Sequence, residues 1–349
     1  QNRRMTANGQ KEVSLMTTGL KIGVLFNAAT RSARGEEVDY ISAAEVLEQA
    51  QAVHEALQKL DLQHRMFILE DDIENLVWAL KSYKPDVVIN LCEGAFGDSG
   101  LEMNMPCLLE LLTIPYSGSP PLTLGICQNK GLAKHILKSN GMMTPRYQVL
   151  NCFDEWKGEI DYPLFVKPVK EDASLGITKE SFVRNEVELG NRVKYVVERY
   201  EQPALVEEYV DGRELNVAIF GNEKPEVLPI SEIIFDLSED KPKIVDYLAK
   251  WVEESEEYKK TRPVCPAILE PPVKLKVEIT ALNAYKALGC RDYARVDIRL
   301  RDEVPYILEL NPNPDISPNV GFARSLRTAG IAFEEFIEKL VFFALERKR

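Results

Sequence analysis

The sequence predicts an α/β protein with an open parallel-sheet lobe first and two further lobes after it. Short apolar runs of buried-strand type, Leu20 to Phe26 (LKIGVLF) and Asp86 to Leu91 (DVVINL), alternate with helical patterns, as in sheets covered on both faces. The 349 residues exceed one ordinary hydrophobic core, so two or three lobes with a cleft between them are expected. Late strands carry polar residues at every second position, which gives one strand face its own chemistry.

Residues 1–18 are polar, contain two candidate start methionines (Met5 and Met16), and are expected to form a disordered tail. An N-terminal α/β domain is expected over 19–121. It holds the first strand, a helix from Tyr40 to Leu60, a strand at Arg65 to Leu69, a helix at Asp72 to Tyr83, the second apolar strand and a helix at Glu102 to Leu112. The segment IPYSGSPP (114–121), rich in Pro and Gly, marks its border. A central lobe is expected over 122–206: one helix across 123–140 ending at Gly141, strands at Arg146 to Leu150 and Tyr162 to Pro168, and a helix at Asn185 to Tyr200. The last lobe, 207–349, is expected to hold strands at Glu214 to Phe220, Glu226 to Ile234, Tyr293 to Leu300 and Pro305 to Leu310. Helices at Val273 to Leu288 and Phe333 to Leu345 complete it.

The net charge of −12 argues against a protein built to grip nucleic acid, while leaving room for a local basic cleft around a small anion. No apolar run approaches the roughly 20 residues of a membrane span, and the N-terminus lacks the order of a secretory signal, so a cytoplasmic protein is expected. Six dispersed cysteines without a C-x-x-C pair indicate neither a zinc site nor a disulfide framework. His54, His64 and His135 have no partners at ligand spacing.

The most informative residues lie in the last third. Arg295 and Asp297 alternate along YARVDIRL, and Glu309 and Asn311 along YILELNPN, so each pair projects from one strand face. On neighbouring strands the four would converge, and two carboxylates with an amide oxygen suit Mg²⁺. Lys167 ends an apolar strand before a loop of small residues (FVKPVKEDASLGIT), a place where an ammonium and backbone N–H groups can meet phosphates. Glu207, Glu208 and Glu214 in ALVEEYVDGRELNVAIFG read as two strands of a hairpin turning at Asp211-Gly212. Its backbone could face an adenine edge and its acids the ribose hydroxyls. In the first lobe, the loops at Asn27 to Glu36 and Cys92 to Gly100 lie beyond strand carboxyl ends, where such sheets bind ligands. The first has no G-x-G-x-x-G, which weighs against a nicotinamide dehydrogenase.

Five blocks taken in order carry a resemblance: LLELLTIPYSGSPPLTLGICQNKGLAKHIL, YPLFVKPVKEDASLGI, LVEEYVDGRELNVAI, DYLAKW with CPAIL, and ARVDIRL with LELNPNPDIS. Together they resemble the ATP-grasp superfamily and, within it, the D-alanine–D-alanine ligase-like group. The resemblance implies an ATP-grasp fold in which two lobes enclose the nucleotide. It also implies ATP, two Mg²⁺ ions (Mn²⁺ as a substitute), and a carboxylate–amine ligase working through an acyl phosphate and releasing ADP and phosphate. Lys130 and Lys167 would contact nucleotide phosphates, and Ser174 and Gly176 would lie in the covering loop. Glu207 and Val210 would hold the adenine with Glu208 beside them, and Glu214 the ribose. Lys250 would lie near the transferred phosphate and Arg295 at the acyl phosphate, with Ser174 as a further catalytic group. Asp297, Glu309 and Asn311 would bind the metals, and a homodimer is a further implication.

The substrate half departs from the family pattern. NAATRSARGEEVD replaces the usual Gly-Gly-x-Ser-x-Glu loop, NLCEG the His-Gly segment, and Trp251 and Ala173 a tyrosine–serine pair. Asp315 in NPNPDISPN stands where the family has glycine. Glu37, Glu93, Asp315 and Ser317 are therefore the candidate substrate residues, for small amino-acid-like carboxylate and amine substrates. The alternatives are a divergent D-alanine–D-alanine ligase and an inactive nucleotide-binding partner subunit.

Overall fold

The computed structural model describes residues 19–28, 40–172, 174–238, 241–246 and 254–347. Three sheets organise them. The first is parallel, with β1 (Ile22–Asn27) between β2 (His64–Leu69) and β3 (Val87–Asn90). Helix α1 (Tyr40–Lys59) covers one face, placing Val46, Ala50, Val53 and Leu57 in the core. Helix α2 (Ile73–Tyr83) covers the other with Leu76 and Leu80. Its start is fixed by Asp72, whose carboxylate accepts from the backbone N–H groups of Glu74 and Asn75 at 2.8 and 3.1 Å. His54 and His64 meet ring to ring, their nitrogens 2.7 Å apart.

Helix α3 (Asn104–Leu111) leads toward the second lobe, and the single helix expected over 123–140 is two, α4 (Pro121–Gln128) and α5 (Lys130–Ser139). Asn129 leaves helical geometry (φ −85°, ψ 90°) and its side chain accepts from Leu132 N–H, so a polar residue read as mid-helix is a cap. The second sheet is antiparallel, in the order β4 (Tyr147–Leu150), β7 (Ala204–Glu208), β5 (Leu164–Pro168), β6 (Phe182–Val183). Helix α6 (Glu186–Tyr200) seals it with Leu189, Val193 and Val196.

The third sheet runs β11 (Thr261–Val264), β10 (Ser231–Phe235), β8 (Arg213–Phe220), β12 (Tyr293–Arg301), β13 (Val304–Asn311), with β9 (Glu226–Val227) beside β8. The strand expected from Glu226 to Ile234 is thus two short ones, separated around Pro229, which has no N–H for a ladder. The short helix α7 (Glu256–Lys260) precedes β11, and α8 (Pro271–Ala287) packs Val273, Val277, Ala281 and Ala284 on the sheet. Helix α9 (Gly321–Ala329) follows the loop after β13, and α10 (Phe333–Glu346) closes the chain. Phe336, Ile337, Leu340 and Val341 of α10 join a core shared by β1, β3, Phe220 and Tyr293, tying the first sheet to the third.

The expected hairpin at Asp211-Gly212 does not form. β7 pairs with β4 and β5, whereas β8 pairs with β10 and β12, so the chain changes sheets there. A Cβ on Gly212 would stand 2.3 Å from the Leu300 carbonyl oxygen, so the chain already lies close against β12, where Arg213 pairs with Leu300, as β8 begins.

Candidate active site

Strands β12 and β13 are antiparallel neighbours in a register that sets Arg295 opposite Asn311 and Asp297 opposite Glu309. The four residues that alternate in sequence therefore share one face. A bulge follows at once: Asp297 pairs with Glu309 but Ile298 with Ile307, leaving Leu308 as the extra residue beside the site. Arg295 donates two hydrogen bonds of 2.8 Å to the Asp297 carboxylate, a bidentate clamp. Burial opposes the Arg295 charge, but Asp297, Glu309 and Asp315 more than offset it and raise its pKa.

Three buried lysines converge on the same place. Lys167, at the end of β5, lies 3.2 Å from Glu207 and 3.5 Å from Glu309. Lys130, at the start of α5, is held by the Glu171 carbonyl and by Asp172 at 2.7 Å, and comes within 3.9 Å of Glu309. Burial works against both ammonium groups, and the acids outweigh it: Glu207 and Glu309 raise Lys167, and Asp172 and Glu309 raise Lys130. Glu309 responds in the opposite direction. Burial resists its charge, but Lys167, Lys130 and Arg295 hold its pKa down to about 2.

Lys134, one helical turn after Lys130, lies 2.9 Å from Glu207 and donates to the Thr144 hydroxyl. Burial lowers its pKa. Nothing in its sequence context distinguished it from the surface lysines of an amphipathic helix. Asn216 was also missed; its amide donates to Asp297 at 2.7 Å. A signal existed, because Glu214 and Asn216 alternate on β8 as Arg295 and Asp297 do on β12, and the register faces Asn216 with Asp297.

Lys167, Asn216, Arg295, Asp297 and Glu309 border a cavity of about 800 Å³ between the second and third sheets. Its wall includes Lys167, Ser174, Glu207, Glu208, Val210 and Glu214, and, from β12 onward, Arg295, Asp297, Glu309 and Asp315. Lys130, Asn311, Gly176, Glu93 and Ser317 are not part of that wall. Glu207 is almost fully buried with its carboxylate between Lys134 and Lys167, so its side chain orders lysines. Glu208 binds Arg301 at 2.8 Å. Glu214 pairs with Arg299 at 2.6 Å, yet burial raises its pKa. Ser174 and Gly176 both have positive φ, and Arg192 donates to the Gly176 carbonyl, which shapes the loop from behind.

The substrate candidates separate. Asp315 faces the cavity, and its carboxylate accepts from Ser317 N–H at 2.8 Å. The Ser317 hydroxyl is buried without a hydrogen-bond partner. Glu93 accepts from Gln49 at 2.7 Å beneath β1. Asn311 accepts from Asn313 N–H, and Asn313 in turn donates to Glu102 and the Cys92 carbonyl, linking the third sheet to the first. Glu37 and Lys250, with Ala173 and Trp251, lie outside the described residues.

Among the described residues no three His, Cys, Asp or Glu side chains group as a metal cage. The oxygen donors of Asp297, Glu309 and Asn311 still fit Mg²⁺, which takes a few carboxylates and completes its shell with water and phosphate oxygens. No described helix is long and apolar enough to cross a membrane.

The family model described as D-ala D-ala ligase C-terminus matches residues 128–342. Uncharacterized protein y4sG of Sinorhizobium fredii is 33% identical, over 85% of this chain and 88% of its own length. A D-alanine--D-alanine ligase of Carboxydothermus hydrogenoformans is 32% identical, over 79% of this chain and 86% of its own. The crystal structure of D-alanine--D-alanine ligase from Bacillus anthracis complexed with ATP superposes with a TM-score of 0.74 at 25% identity, covering 94% of this chain and 98% of that one. With the lysine and carboxylate cluster set between its second and third sheets, this chain belongs to the D-alanine–D-alanine ligase family of ATP-grasp enzymes.

Proposed function

We propose that the chain is an ADP-forming carboxylate–amine ligase that joins amino-acid or dipeptide substrates through an acyl phosphate. The observation that carries this reading is the β12–β13 register, which stacks Arg295, Asp297, Glu309 and Asn311 against Lys167 and Lys130. Lys167 and Arg295 on the cavity wall, with Lys130 within 3.9 Å of Glu309, match the charge that spreads over phosphoryl oxygens during transfer to a carboxylate. Lys167 and Lys130 bind the nucleotide phosphates, and Ser174 and Gly176 cover them. Val210 and the backbone at Glu207 and Glu208 face the adenine, and Glu214 the ribose. Arg295 stabilises the acyl phosphate and the oxyanion formed when the amine attacks. Asp297, Glu309 and Asn311 would hold Mg²⁺, which neutralises phosphate charge when bound. Lys250 is assigned to the transferred phosphate, and Glu37 and Glu93 to the carboxylate substrate.

The lobes 19–121, 122–206 and 207–349 are proposed as the functional units. Each holds most of one sheet's strands, with β7 running two residues past the second border, α4 starting at Pro121 before the first, and α10 packing against the first sheet.

Phosphate release from ATP with Mg²⁺, across paired D- and L-amino acids and dipeptides with product masses recorded, tests the function. Release that depends on a substrate pair, with a condensed product, is expected. Silence with every pair would leave an inactive nucleotide-binding protein. A second reading, a D-alanine–D-alanine ligase, is favoured by the names of the relatives. A D-alanyl-D-alanine mass would select it.

A further inference from the structure

Most charges on the cavity wall are matched by ion pairs among the described residues; Lys259, Asp315 and Arg324 are not, and Lys259 is turned to a backbone carbonyl. Glu208 lies against Arg301, Glu214 against Arg299, Asp297 against Arg295, and Glu207 and Glu309 against Lys167. Among the cations, Arg262 pairs with Asp236, and Lys259 donates to the Glu254 carbonyl. Asp315 and Arg324, by contrast, have no ionic partner within salt-bridge distance among the described residues. Asp315 only accepts from its own loop, at Ser317 N–H. Arg324 lines the same cavity from the first turn of α9, half-buried, where burial and then Arg327 lower its pKa. The pair does not cancel itself, since no ion pair joins the two.

A half-buried guanidinium without an anion is costly, as is an unmatched carboxylate in a cleft, unless a ligand brings the opposite charges. Asp315 is the one nearer the chemistry, because its charge is felt at Arg295. We propose that Asp315 and Arg324 together select a dipolar amine substrate, a free amino acid or peptide, with its ammonium against Asp315 and its carboxylate against Arg324. This rests on the ligase reading above. Amine substrates whose carboxylate is blocked as a carboxamide are then poor ones.

The test compares each amino acid of the D and L panel with its C-terminal carboxamide on the full chain. It uses both turnover with ATP and equilibrium binding in the presence of the β,γ-imido analogue of ATP. The wild type is expected to prefer the free acid by about tenfold or more, the worth of a charged hydrogen bond. Arg324→Gln should abolish that preference, and Arg324→Lys should restore part of it. Asp315→Asn should weaken both ligands alike, since both keep the ammonium. Equal use or binding of acid and carboxamide by the wild type overturns the proposal, as does a preference that survives Arg324→Gln. Lack of turnover with every pair counts against the ligase reading alone, because the binding comparison still decides the role of Arg324.

Discussion

Asp297 of β12 and Glu309 of β13 stand opposite each other on adjacent strands, and each is held by a different cation, Arg295 for the first and Lys167 for the second. Glu309→Gln keeps the shape and removes the charge that Lys167 and Lys130 share. Phosphate release is expected to fall by at least about a hundredfold, the scale of a lost electrostatic group in phosphoryl transfer. Circular dichroism should show an intact fold. Wild-type rates would remove Glu309 from the proposed metal site.

Lys167→Ala should act on both binding and folding. Among the described residues it leaves Glu207, which is buried, with Lys134 as its one ammonium neighbour, and breaking a buried pair costs about 3 kcal/mol or more. A lower melting temperature and a raised KM for ATP are expected together. An unchanged KM in a folded variant would contradict contact with the nucleotide.

Glu102 gives a pH prediction. Burial pushes its carboxyl up to about 8, against the hydrogen bond from Asn313, which works the other way. The native state keeps this proton after the unfolded chain has released it, so this group makes stability fall as pH rises from about 4.5 toward about 8. Glu102→Gln retains an amide oxygen for Asn313 and should flatten that slope, stabilising by on the order of 1 kcal/mol at the alkaline end. Parallel melting curves across this range for both proteins would refute the assignment.

Gly212→Ala should destabilise by about 2 kcal/mol through overpacking against the Leu300 carbonyl. Denaturant unfolding measures it. A neutral effect would mean that the crossing from β7 to β8 gives way easily.

Much of this was legible in the sequence. The apolar runs of β1 and β3 announced a parallel sheet, and the alternation of Arg295 with Asp297 and of Glu309 with Asn311 announced a shared face, because period-2 spacing is a local property. What failed was non-local. Asp211-Gly212 carries the local signature of a hairpin, and only the partners of β7 and β8 reveal a change of sheets. Asn129 read as helical until its capping bond was seen. Lys134 is separated from Glu207 by more than seventy positions, so its burial and pairing could not be read from its neighbours.

The last residue of β13, Asn311, is bonded to the loop that begins two positions later, and that loop carries Asp315 and leads to Arg324. Strand and loop thereby meet at one side-chain hydrogen bond. On the proposed function, recasting residues 314–320 would retune the choice of amine without altering the β12–β13 register that sets Asp297 opposite Glu309, making this segment the natural place to diversify a library.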